Sequence, residues 1–181
     1  MRATALAAPL LVLALAASAC SGSGSGSDGA GDGASGGASD DPTAALQVRP
    51  VLGAADDLDC SGAADADPPG SPAPDEESAA CTVDGEALRL GPAGVVGGVS
   101  DVQLLRSTDA WLLQVTLDPD GAEALAAMGE SAASSDSRLA ILADGLVLSA
   151  PTVAGTLSET LQLTGDWSGE QAERYAALLR P

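Results

Sequence analysis

The stretch RLAILADGLVLSAPTV, residues 138–153, holds two apolar runs on either side of Asp144-Gly145, and the second run stops at Ser149-Ala150-Pro151. Asp-Gly between two strand-forming runs predicts a β-hairpin, because glycine accepts the positive φ of a two-residue primed turn at no steric cost. Pro151 has no amide hydrogen for a sheet ladder, so it belongs at a strand end, an edge or a bulge. Turn chemistry thus accounts for Asp144, Gly145 and Pro151 without any ligand.

C-terminal to the hairpin, TLQLTGDW (residues 160–167) predicts a further strand with Leu161 and Leu163 on one face and a turn at Gly165. Ser168 then caps the last helix, with Gln171 closing a capping box, and Ala172, Tyr175, Ala176 and Leu179 form its core-facing stripe. N-terminal to the hairpin, WLLQVTLD (residues 111–118) reads as a strand that buries Trp111, Leu113, Val115 and Leu117 on one face. Asp118-Pro119 starts a helix after it, since Asp supplies a cap acceptor and Pro suits the first turn. The apolar stripe there is Ala122, Leu125, Ala126 and Met128, with Gly129 as the stop and ESAASSDS (residues 130–137) as a polar loop. Shorter strand-like runs lie upstream at residues 45–52, 86–93 and 99–107. This order predicts an α+β fold, an antiparallel-rich sheet with two helices packed on one face.

The chain of 181 residues opens with Arg2 and the apolar run ATALAAPLLVLALAASA, which is too short to span a bilayer and ends in small residues. Residues 1–19 therefore read as a secretory signal peptide. Ala17, Ser18 and Ala19 directly before Cys20 resemble the lipobox of bacterial lipoproteins, although that pattern usually carries Leu where Ala17 stands. The resemblance implies lipidation at Cys20 and attachment to the membrane through an N-terminal lipid. Residues 20–44 continue as a Gly/Ser/Asp tract of the composition that forms a disordered linker. Residues 45–181 remain for one folded domain, placed outside the cytoplasm and anchored to the cell membrane.

Within that domain, residues of about 54–80 combine many Asp, Glu and Pro with few large apolar residues, which predicts a long, mobile, acidic loop. Cys60 and Cys81 stand at its ends. In an exported chain such a pair reads as a disulfide, worth about 3 kcal/mol for a loop of this length in the chain-entropy account. A metal site is the competing reading, but two cysteines in a chain without histidine do not complete a usual zinc set.

The net charge is −19, with no lysine and with arginines scattered singly, so no basic stripe exists to neutralise phosphates and no nucleic acid is expected. The abundance of Ala, Gly and Asp with neither Lys nor Phe points to a GC-rich genome of the actinobacterial kind. Without histidine there is no Ser-His-Asp or Cys-His arrangement. Carboxylate chemistry would have to draw on Asp109, Asp118, Asp120, Glu123, Asp144 and Asp166, most of which already serve turns or caps. The DPDG at residues 118–121 lacks the spacing of a calcium loop. No lysine-bearing phosphate loop opens onto a helix. No catalytic residue, metal, cofactor or small-molecule substrate is expected.

The segments VRPVL, RLGPA, WLLQVTLDPDGAEAL, RLAILADGLVLSAPTV and LQLTGDWSGEQAERYAALLR together resemble the P1 head subdomain of SecD/SecDF, the accessory subunit of the protein translocase. The residues that carry the resemblance are Thr116, Leu117 and Asp118; then Asp144, Gly145, Val147, Ser149, Ala150 and Pro151; then Thr164 and Gly165; then Glu170 and Ala172. It implies a P1 head-like fold over nearly all of residues 45–180 and a role in binding polypeptide rather than in making bonds. Exported polypeptides or Sec translocase components are the partners so implied. SecD also has proton-driven membrane helices and a base subdomain, to which the resemblance does not extend. Three readings follow: a tethered protein-binding module linked to export, an envelope-structural or regulatory lipoprotein that reuses the fold, and a carboxylate enzyme.

Overall fold

The computed structural model describes residues 45–107 and 110–181. The expectations for the signal peptide, for Cys20 and for the linker, and the candidate Asp109, lie outside the described residues. In chain order the elements are β1 (Leu46–Ala54), β2 (Ser78–Cys81), β3 (Ala87–Leu90), β4 (Val95–Val96), β5 (Val99–Arg106), β6 (Trp111–Leu117), α1 (Pro119–Ser135), β7 (Leu139–Ala143), β8 (Leu146–Ser149), β9 (Thr160–Gly165) and α2 (Gly169–Leu179). The fold is α+β with antiparallel sheets and two helices, as the sequence predicts.

The strands divide between two sheets, a division the sequence reading did not resolve. The larger runs β2-β3-β1-β7-β8 with β4 beside β1, and the smaller runs β5-β6-β9. One core fills the space between them: Leu46, Val48, Ile141 and Leu148 from the larger sheet meet Leu113, Val115, Leu161 and Leu163 from the smaller and Leu125, Ala172, Tyr175 and Leu179 from the helices. A second cluster, Ala80, Leu88, Leu90, Ala140, Leu142 and Val147, buries the opposite face of β7 and β8 under the β2–β3 hairpin. All five residues of β7 are consequently buried. That is why LAILA shows no polar alternation in the sequence.

Helix α2 follows its predicted stripe, with Ala172, Tyr175, Ala176 and Leu179 buried and both bonds of the Ser168–Gln171 capping box in place. Helix α1 departs from prediction. It does not stop at Gly129 but runs on to Ser135 and ends at Asp136, whose φ of 53° is left-handed. Gly129 is there for close packing: a Cβ at that position would lie 2.9 Å from Leu157 Cγ. The buried stripe of α1 is accordingly Gly121, Leu125, Gly129 and Ala132; of the predicted stripe Leu125 is fully buried, Ala122 and Met128 pack half-buried against the core, and Ala126 is half-buried outside it.

Candidate functional site

The hairpin forms as predicted. Asp144 and Gly145 have φ of 47° and 85°, both positive as a primed two-residue turn requires, and Ala143 pairs with Leu146 across it. The turn also does what its local sequence could not disclose: it anchors the acidic segment between β1 and β2. The Asp144 carbonyl accepts from Gly70 N–H at 3.1 Å and its carboxylate accepts from Ser71 N–H at 3.1 Å. A Cβ on Gly145 would fall on the Gly70 carbonyl and at 3.1 Å from Pro69 Cγ. Glycine is required there twice, for its backbone angle and for the loop that presses on it.

Arg49 holds the next part of the same segment. It points away from the main core on β1, is fully buried and, among the described residues, faces no carboxylate; its guanidinium donates to the carbonyls of Pro72, Ala73, Glu76 and Gly91 and to the Gln47 side chain at 2.7 Å. Gln47 in turn donates to the Pro72 carbonyl at 2.8 Å. Burial pushes the Arg49 pKa down, yet the ring of carbonyl dipoles supplies the partners a buried cation needs. Further along, Arg174 donates to the Ala64 and Asp65 carbonyls, Tyr175 donates to the Ala64 carbonyl at 3.2 Å, and Gln171 donates to the Asp65 carboxylate at 3.0 Å. The Cys60–Cys81 disulfide is present, with the two Cα atoms 5.3 Å apart. The expected mobile loop is therefore a segment fastened at four places: the disulfide, the hairpin turn, Arg49 and α2.

The other motif residues have separate tasks. Val147 is buried in the second cluster, and its carbonyl accepts from Val83 N–H at 3.0 Å. Ser149 stands opposite Ile141, and the Pro151 carbonyl accepts from Leu139 N–H at 3.0 Å. The Ala150 carbonyl accepts from Arg138 Nε at 2.9 Å, and the same guanidinium forks onto both Glu86 oxygens at 3.1 Å. That hydrogen bond holds the Glu86 carboxyl below its ordinary pKa. Thr164 and Gly165 belong to β9 in the other sheet, where Thr164 faces Leu112 and Gly165 lies against the Trp167 indole. The motif thus joins no single pocket. It marks a hairpin with its docked loop and, in the other sheet, a strand end.

Of the carboxylates weighed for chemistry, Asp118 caps α1 by accepting from Gly121 N–H at 2.8 Å. Asp120 lies exposed in the first turn of that helix, Glu123 is exposed on its surface, and Asp166 is exposed after β9. Asp144 serves the turn. Among the described residues, no helix is long and apolar enough to cross a membrane. Arg49, Arg174 and the second bond of Gln171, to Asp65, escaped sequence reasoning because their partners are loop groups 23 to 110 positions away.

Residues 90–181 match the family model described as SecDF, P1 head subdomain. No curated protein matches the chain. Among solved structures, one described as a membrane component SecDF that enhances protein export aligns with a TM-score of 0.50 at 20% identity, over 75% of this chain and 61% of that one. A second, SecDF in its super-membrane-facing form, aligns with a TM-score of 0.51 at 24% identity, over 76% of this chain and 19% of that one. The chain thus spans less than two thirds of the length of either.

Proposed function

Because the chain belongs to the SecDF P1 head subdomain family, we propose that it is a membrane-tethered, extracytoplasmic protein-binding module that assists protein export without catalysing a reaction. The match over residues 90–181 carries this reading. It is supported by the solved relative described as enhancing protein export, and by carboxylates that serve as caps and turns rather than converging on a cleft. Cys20, through lipid, would hold the domain at the outer surface of the membrane, with residues 20–44 as the tether. Exported polypeptides or Sec translocase components would be the partners.

The test is export kinetics in the cells that make this protein. Deleting the chain should slow processing of pulse-labelled secreted precursors, and the wild-type chain should restore it. Cys20→Ala should leave the membrane fraction and fail to restore it. Unchanged processing in the deletion would overturn the export reading, and a Cys20→Ala chain that stays with the membrane would overturn the anchor.

A further inference from the structure

The three-stranded sheet ends in β5, which pairs with β6 on one side and, among the described residues, with no strand on the other. Ser107 N–H donates to the Ala110 carbonyl at 2.9 Å across the β5–β6 turn, and Arg106 faces Trp111 next in register. Since antiparallel pairs alternate between bonded and unbonded, the backbone groups of Asp101, Gln103 and Leu105 face β6. Those of Val102, Leu104 and Arg106 face the open side. The Leu117 N–H bond to the Glu159 carbonyl, at 2.8 Å, confirms the phase, because it turns the odd-numbered residues of β6 toward β9 and the even-numbered ones toward β5. Among the described residues, nothing accepts from or donates to the outward groups of Val102, Leu104 and Arg106.

The surroundings of this edge define its occupant. The exposed face of the small sheet is a grid in register: Asp101, Thr116 and Thr160; then Gln103, Gln114 and Gln162; then Leu105, Leu112 and Thr164. In a chain of net charge −19 that grid holds one carboxylate, Asp101, which accepts from the Gln103 side chain at 2.8 Å. On the opposite face Val102 and Leu104 are only half-buried in the main core, and the Arg106 guanidinium lies 5.1 Å from the Trp111 ring centre. The opposite edge of this sheet, β9, leaves Gln162 and Thr164 open by the same phase but has six residues against the eight of β5; the remaining edges are closed or shorter still. Val147 of β8 already bonds Val83, the Thr160 carbonyl of β9 accepts from the Ser158 hydroxyl at 3.1 Å, and β2 has four residues and ends at the disulfide.

We propose that β5 is the docking edge for an extended segment of another polypeptide, which adds a fourth strand to the small sheet through Val102, Leu104 and Arg106. A row of unpaired backbone donors and acceptors is complementary to an extended chain and indifferent to most of its sequence. The half-buried Val102 and Leu104 favour apolar residues at alternate positions of that segment. The overall negative charge disfavours acidic segments, and it equally disfavours a second copy of this chain, which would set two charges of −19 against each other. The inference rests on the polypeptide-binding reading above and gives it a place.

The test uses the full chain and a synthetic peptide, acetyl-Arg-Val-Thr-Val-Thr-Val-amide, beside the same peptide N-methylated at every amide. Amide exchange should slow at Val102, Leu104 and Arg106 when the first peptide is added. Affinity read by fluorescence anisotropy should fall about tenfold or more on N-methylation, the loss of roughly two net hydrogen bonds. Leu104→Pro, which removes an N–H that no ladder bond uses, should weaken binding in the same direction. No binding, equal binding of the methylated peptide, protection elsewhere, or sedimentation showing a second copy on this edge would each overturn the proposal. Slowed export in the deletion without a peptide on β5 removes only this placement; a peptide on β5 with unaltered export removes only the export reading.

Discussion

At Asp144 and Gly145 two positive φ angles turn the chain within two residues, and an Asp-Gly pair is the local signature of that geometry. Gly145→Val puts a β-branched side chain into a left-handed backbone and against the Gly70 carbonyl. It should lower stability by at least about 2 kcal/mol in a denaturant titration; unchanged stability would mean that the loop does not press on the turn. The turn was legible because everything that dictates it lies in two adjacent residues. Arg49 was not. Its partners are backbone carbonyls of Pro72, Ala73, Glu76 and Gly91, and a carbonyl leaves no mark in a sequence as a facing carboxylate would.

Among the elements, α2 was readable to the residue, since its cap and its stripe are both set by spacings of three and four positions. Helix α1 runs past Gly129, a residue that marks a stop by local sequence alone but here makes room for Leu157. Strands β2 and β4 were missed: one lies at the end of an acidic segment, and the other has two residues that gain their conformation by pairing with β1. The docking of α2 on that segment has a pH signature. Burial holds the Tyr175 phenol above its ordinary pKa, and it donates to the Ala64 carbonyl as the neutral acid. A folded pKa above the unfolded one gives stability that is present below about pH 10 and is lost as the pH rises through the folded value. Tyr175 is the only tyrosine in the chain. Absorbance near 295 nm should therefore show phenolate appearing only above pH 10, together with unfolding. A simple titration centred near pH 10 in the folded protein would mean that the loop leaves Tyr175 open to water.

For the whole molecule, the fold class followed from the order of strands and helices, and family membership followed from the hairpin motif together with the segments around it. The division into two sheets was illegible because it depends on which strands meet across the core, a choice that local alternation does not encode. The same holds for the acidic segment, whose composition has the marks of a mobile loop while its anchors lie on β1, the β7–β8 turn and α2. The site proposed in the small sheet was illegible for a related reason. Only the phase of pairing shows which backbone groups of β5 remain open. On the function proposed above, the domain meets polypeptides as they emerge on the outer side of the membrane. Photocrosslinkers at Gln103 on β5 and at exposed Thr152 beside the hairpin, in pulse-labelled cells, test this. The expected result is adducts with newly made exported proteins, stronger from Gln103, that disappear during the chase. Adducts confined to resident cell-wall enzymes, adducts that persist through the chase, or none from either position would contradict it.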